Sequence, residues 1–143
     1  MKKVLVLFLI LTIVVFAFGA CKGKDAPSDS DALNAAKGLY QDMLKNSQTA
    51  LTGLEAATDG KSAAKVVAAY ASSLRNILIK TQGMMKKYPK FNPAGNKDLA
   101  EVTKSYAQVQ VKLAALIQKI SKKYAKDKDF INALKTMGSI MGK

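Results

Sequence analysis

The chain has 143 residues, of which 23 are Lys or Arg and 10 are Asp or Glu, and it contains one cysteine and no histidine. This length suits one ordinary domain. The composition excludes the usual zinc ligand sets, a disulfide framework and the Ser-His or Cys-His nucleophile pairs of many hydrolases. The formal net charge of +13 points instead to an anionic partner, which can be a membrane surface, a nucleic acid, or an acidic protein or glycan.

The N-terminal residues have the pattern of a signal peptide. Lys2 and Lys3 precede an apolar run from Val4 to Phe18 that only Thr12 interrupts. The alternative is an uncleaved membrane anchor, but residues 4–20 would span about 25 Å as a helix, which is short of the ~30 Å hydrocarbon core of a bilayer. The sequence therefore predicts a cleaved signal peptide over residues 1–20.

The end of this run, Phe18-Gly19-Ala20-Cys21, resembles the lipobox of bacterial lipoproteins. The resemblance covers residues 1–21. It implies cleavage between Ala20 and Cys21, with diacylglycerol and an N-acyl chain on Cys21 and no other cofactor. Each buried methylene contributes about 0.8 kcal/mol, so two or three acyl chains would hold the protein on its membrane. In enteric bacteria, an Asp directly after the lipidated cysteine retains a lipoprotein at the inner membrane. This chain has Lys22 at that position. We therefore expect the outer membrane of the cell envelope, with a periplasmic or surface-exposed domain.

Residues 21–30 comprise the lipidated cysteine and a polar segment with Gly23 and Pro27, which predicts a flexible tether. Removal of Lys2 and Lys3 with the signal peptide leaves 21 basic residues against 10 acidic ones, a net charge of +11. The remaining residues, 31–143, are expected to form one strongly basic domain.

From residue 31 onward helix-forming residues dominate, and no alternation of polar and apolar residues indicates a strand. The first helix is expected over Asp31–Ala57 and the second over Ser62–Lys87. Between them we expect a tight turn in which Gly60 is left-handed and Ser62 caps the second helix. Two prolines in the loop 88–95 end the second helix.

The third helix is expected to begin at Asn96 and the short fourth to cover Asp129–Met141. The third has the most regular apolar seam, which comprises Leu99, Val102, Tyr106, Val109, Leu113, Leu116 and Ile120. The tyrosines lie mostly on such seams, where we expect each hydroxyl at the rim. These patterns predict an all-α fold: an antiparallel three-helix bundle with a short C-terminal fourth helix. A homo-oligomeric coiled coil is the alternative, so the oligomeric state stays open.

The acidic residues show no spacing that predicts an acid/base pair. Asp42 and Glu55 fall on solvated helix positions, while Asp98 and Glu101 lie in the first turn of the third helix, where the macrodipole accounts for them. The glycines form no phosphate-binding loop, since none follows a strand. The sequence therefore predicts a non-catalytic protein with no metal site. Beside the prolines, Tyr88 and Phe91 form a candidate exposed contact patch.

Two groups of lysines are the candidate binding residues. We expect the first group, here called the headgroup lysines, near lipid at the end of the bundle where the tether begins; it comprises Lys22, Lys24, Lys86, Lys87 and Lys90. We expect the second group, the distal lysines, at the opposite end and facing an anionic partner; it comprises Lys119, Lys122, Lys123, Lys126 and Lys128. A solvated surface that complements the helix macrodipoles is the alternative for both groups.

Together these features predict a membrane-anchored lipoprotein whose domain binds an anionic glycan or protein. Nucleic acid is not expected, because export removes the protein from it and exposed aromatic residues for stacking are lacking. The alternative function is a structural one, since Lys143 resembles the C-terminal lysine by which some small envelope lipoproteins are joined to peptidoglycan. Clustered and C-terminal lysines also resemble the features by which surface lipoproteins of some pathogens capture plasminogen.

Overall fold

The structure is a computed structural model that describes residues 30–94 and 96–141. The described chain is all-α, as the sequence predicts, and no strand occurs in these two ranges. Its helices are α1 (Ser30–Glu55), α2 (Gly60–Lys87), α3 (Lys97–Lys123) and α4 (Lys128–Met141). The predicted signal peptide, its cleavage site at Ala20 and Cys21, and Lys22, Lys24 and Lys143 lie outside the described residues. None of the described helices is both long enough and apolar enough to cross a membrane.

The turn between α1 and α2 differs from the prediction. Asp59 is the N-cap of α2: its carboxylate accepts the backbone N–H of Ser62 at 2.7 Å, and Ser62 Oγ accepts the backbone N–H of Asp59 at 3.2 Å. These two bonds form a capping box. The hydrogen bond from the backbone N–H of Ser62 also holds the pKa of Asp59 below its ordinary value. The prediction that Ser62 caps the helix was therefore wrong, because the capping acceptor is Asp59. Gly60 has no left-handed φ and is the first residue of α2.

The helices enclose two apolar clusters. α1 packs against both α2 and α3, and α4 packs against α2. The larger cluster takes buried side chains from all four helices, among them Leu54, Val67, Leu113, Ile117, Phe130 and Met137. The smaller cluster, near the start of α1, is built on Ala36, Tyr40 and Leu99. The fourth helix is thus part of the main core.

The buried seam of α3 follows the predicted heptads only in part. Leu99, Tyr106 and Leu113 are buried as expected, but Gln110 and Ile117 are buried where the pattern favoured the residues just before them. Ile120 is also buried as expected, so one row of the seam keeps its predicted heptad spacing while the other is displaced by one residue. One residue corresponds to about 100° around an α-helix. This displacement brings a polar residue, Gln110, into the core.

Gln110 joins a buried hydrogen-bond network that links three helices. Its side-chain amide donates to Ser47 Oγ of α1 at 2.7 Å and to Tyr70 Oη of α2 at 2.9 Å, and those two oxygens are 3.1 Å apart. Ser47 Oγ also donates to the backbone carbonyl of Met43 at 2.8 Å. The hydroxyl of Tyr70 therefore lies inside the bundle, which corrects the expectation that it sits at the rim. Burial raises the pKa of Tyr70, so the network stays uncharged at neutral pH.

Replacing Tyr70 by Phe tests the contribution of this network. The substitution keeps the ring and removes the hydroxyl, which leaves Ser47 and Gln110 with one partner fewer in a buried site. We expect the free energy of unfolding, measured by urea denaturation, to fall by about 1–3 kcal/mol. Tyr88→Phe is the matched control, because that ring is half-buried at the end of α2, and its effect should stay within about 0.5 kcal/mol. Equal losses in the two variants would contradict this account.

Candidate functional site

The distal lysines lie close together along the chain, where α3 ends and α4 begins. Three belong to the last two turns of α3, one to the connecting turn and one to the first residue of α4, and all five are exposed. Within the described ranges none of them forms an ion pair. Lys123 Nζ lies 5.1 Å from the centroid of the Tyr124 ring, within reach of a cation–π interaction. The structure therefore presents these ammonium groups to solvent on one short stretch of chain.

Asp127 builds the turn that carries these lysines. The backbone N–H of Tyr124 donates to the carbonyl of Ile120 at 2.8 Å, and the backbone N–H of Asp127 donates to the carbonyl of Tyr124 at 3.0 Å. Asp127 Oδ1 then accepts the backbone N–H of Phe130 at 2.9 Å, as an N-cap residue does. Local hydrogen bonds thus shape the connection between α3 and α4. The signal in the sequence is an Asp three residues before a Phe that begins an apolar seam, and the prediction did not include this cap.

Aromatic packing on the core side supports the turn between α3 and α4. The rings of Tyr124 and Phe130 meet edge to face, with centroids 5.8 Å apart and planes at 71°. Phe130 is completely buried in the larger cluster. Beneath the lysines, the hydroxyl oxygens of Ser121 and Tyr124 are buried and have no hydrogen-bond partner in the described part of the chain. Burying such a group costs about 1–3 kcal/mol.

The turn before α2 and the turn before α4 are in contact. A Cβ atom added to Gly60 would overlap the carboxylate of Asp127. Glycine at this position lets the cap of α4 rest against the first turn of α2. Acidic residues therefore stand among the lysines at this end, and they include Asp59, Asp127 and Asp129. The distal surface therefore has mixed charge with lysine in excess, whereas the sequence pattern pointed to its lysines alone.

Of the headgroup lysines, three fall within the described residues. Lys86 and Lys87 are in the last turn of α2 and Lys90 is in the following loop, and all three are exposed. Lys87 Nζ lies 5.1 Å from the centroid of the Tyr88 ring. The neighbouring Phe91 packs against the smaller apolar cluster and is half-buried. The predicted exposed patch of Tyr88 and Phe91 is therefore partly core.

A shallow groove runs between α1 and α2 on the outer side of the bundle. Its volume near the start of α1 is about 370 Å³. An ion pair crosses it, with Lys80 Nζ 2.6 Å from Asp42 Oδ2. The remaining lining is mostly small or apolar and comprises Ala35, Gly38, Leu39, Gly83, Met84, Lys87 and Tyr88. Asp42 is the only carboxylate that lines this part of the groove, and Lys80 already pairs with it.

The remaining described acidic residues do not add to the group at the distal end. Glu55, Asp98 and Glu101 are exposed on α1 and α3. Over residues 30–94 and 96–141, no three His, Cys, Asp or Glu residues come close enough to hold a metal ion.

Comparisons with protein-family models, curated proteins and solved structures found no match to this chain.

Two glycine substitutions should change stability in opposite directions. Gly60→Ala places a methyl group against Asp127, and we expect the free energy of unfolding to fall by about 1–3 kcal/mol. Gly38→Ala lies inside α1 with no atom within 4 Å of the new methyl group, and we expect a gain of about 0.5–1 kcal/mol from helix propensity. Thermal denaturation of both variants measures the difference. A Gly60→Ala variant that melts above the parent would show that the two turns do not touch.

Proposed function

We propose that this chain is a membrane-anchored bacterial lipoprotein whose helical domain is a non-catalytic module that binds an anionic glycan or protein. The observation that carries the proposal is the exposure of all five distal lysines around the α3–α4 turn. The anchor is Cys21 with its covalent lipid, and the location is the outer membrane of the cell envelope.

The kind of basic residue supports a partner with diffuse negative charge. Arg75 is the only arginine in the chain, and the other basic residues are lysines. Lysine presents a hydrated point charge, while arginine gives the planar, two-pronged recognition typical of specific carboxylate contacts. A polyanion with many charges, such as an acidic glycan, suits lysines on an exposed turn. Such binding weakens as salt concentration rises.

The contacts that hold the α3–α4 turn indicate that the distal lysines lie on a preformed surface. Asp127 caps α4, Phe130 is buried below, and the turn rests against Gly60. Side chains on a preformed turn need little backbone ordering when a partner binds, and ordering is one of the main costs of association.

We also propose the finer arrangement that the sequence predicts, an antiparallel three-helix bundle with α4 added at its distal end. The pairing of α1 with α2 supports it. Asp42 contacts Lys80, whereas Gly53, later in α1, lies against Val66, earlier in α2. Under this arrangement the headgroup lysines and the distal lysines are at opposite ends of the bundle.

The lipid anchor is tested by intact mass of the protein extracted from membranes. We expect a chain that begins at Cys21 and carries the added mass of diacylglycerol and an N-acyl chain. The Cys21→Ala variant should keep its N-terminal segment and gain no lipid, because the thiol is the acceptor. An unprocessed mass for the parent chain would contradict the anchor.

The binding surface is tested by retention on an immobilised sulfated glycan. Replacing the five distal lysines together by Gln should lower the salt concentration needed for elution, because each lysine contributes to a charge-driven contact. The matched control replaces five exposed lysines elsewhere by Gln, namely Lys37, Lys45, Lys97, Lys104 and Lys135.

Equal shifts in the two variants would show that net charge alone, and not the distal surface, governs retention. If retention depends on neither set while removal of Lys143 releases the protein from the cell wall, the structural alternative replaces this proposal.

A further inference from the structure

One face of α2 has a charge pattern that the proposed function does not use. Eight exposed positions follow each other along the outside of this helix in steps of four and three; they are Lys61, Lys65, Ala68, Ser72, Arg75, Ile79, Gln82 and Lys86. We call this set the α2 stripe. Steps of three and four keep residues on one side of a helix, and over this length the stripe extends about 38 Å. The opposite side of α2 carries the buried core residues, such as Val67 and Leu74.

All charged side chains of α2 itself are basic. Its 28 residues contain six basic side chains and no Asp or Glu. Three carboxylates are recorded near it: Asp59 and Asp127 at its first turn, and Asp42, which pairs with Lys80 on the side facing α1. The middle and the end of the α2 stripe, from Lys65 to Lys86, therefore present positive charge without any acidic residue of the helix itself.

Apolar side chains stand among these charges. The described part of the chain has three large apolar residues that are strongly exposed, and two of them are on α2: Ile79 is 59% exposed and Met85 is 46% exposed. Ile79 belongs to the α2 stripe between Arg75 and Lys86. Met85 lies beside the stripe and not in it. Basic side chains around an exposed apolar one suit a membrane surface, because binding there combines attraction to anionic lipids with burial of apolar area.

We propose that the α2 stripe docks the domain lengthwise on an anionic lipid bilayer, with Lys65, Arg75 and Lys86 at the phosphates and Ile79 among the headgroups. The docking rests on the proposed attachment of the chain to a membrane. It makes the headgroup lysine Lys86 one end of a longer contact. The distal lysines belong to α3, the following turn and α4, so they stay available for another partner.

A bilayer suits this surface better than a specific protein partner does. Protein interfaces draw most of their binding energy from aromatic residues and arginines in well-packed pockets. The α2 stripe has one arginine, no aromatic residue and a convex helical shape. A fluid anionic surface needs no pocket, because its charged lipids move to wherever the basic side chains are.

The chain contains no tryptophan, so the fluorescence of a single introduced Trp reports on one chosen position. Ile79→Trp places the only tryptophan on the α2 stripe, and Val111→Trp is its matched control on α3, where Val111 is 69% exposed. The full chain is reconstituted in vesicles of phosphatidylcholine with or without phosphatidylglycerol, and quenching by brominated lipid is measured. We expect strong quenching at position 79 with phosphatidylglycerol, weak quenching without it, and weak quenching at position 111 in both.

The charge dependence is tested in the Ile79→Trp background. Each basic side chain at an anionic surface shifts the binding equilibrium by about fivefold, so changing Lys65, Arg75 and Lys86 to Gln should weaken docking by about a hundredfold. The control changes Lys97, Lys104 and Lys112 of α3 to Gln, which removes the same charge from another helix, and it should leave most of the quenching in place. Equal quenching at positions 79 and 111, equal loss in the two triple variants, or quenching that ignores phosphatidylglycerol would overturn the proposal.

These outcomes are independent of the tests of the proposed function. The full chain is held on vesicles either by lipid on Cys21 or by its apolar residues 4–18, so the quenching measurement can be made in both cases. Intact mass reports acylation, and retention on the glycan reports the distal lysines. A failed anchor or a failed distal surface is therefore seen separately from a failed α2 contact.

Discussion

The hydrogen bonds among Ser47, Tyr70 and Gln110 are the constraint on which the rest of the structure depends. α2 and α3 each pack against α1, and this network joins a side chain from each of the three helices inside the core. Apolar contacts tolerate a small rotation or slide of a helix, whereas buried polar groups lose partners when the register changes. The network therefore selects one register for three long helices whose apolar seams are similar in spacing.

The surface charges follow from this register. Once Val67 and Leu74 turn inward, the outer side of α2 must carry Lys65, Arg75 and Ile79, because a helix has no other place for them. The end of α3 and the start of α4 likewise present lysines around a turn that Asp127 holds. Two separate basic surfaces result, one along a helix and one at an end of the bundle. A protein attached to a membrane can use the first for its orientation and the second for a partner.

The distal end also shows how opposite charges serve different purposes at one place. Asp59 and Asp127 lie among the lysines, yet each caps a helix, and the two turns they support touch at Gly60. Their carboxylates are engaged by backbone N–H groups. The lysines are exposed on the α3–α4 turn and the adjoining helix ends, so the acidic residues shape the surface while the ammonium groups remain available on it.

The sequence by itself determined the helical class, most of the apolar seams and all four helix starts to within two residues, because these depend on local periodicity and capping. It also predicts the lipid attachment at Cys21 from a local motif. Only the tertiary structure decided that Gln110 and the hydroxyl of Tyr70 face the core and that the start of α2 meets the turn before α4. Those features depend on which side of each helix its neighbours cover, and no local pattern records that.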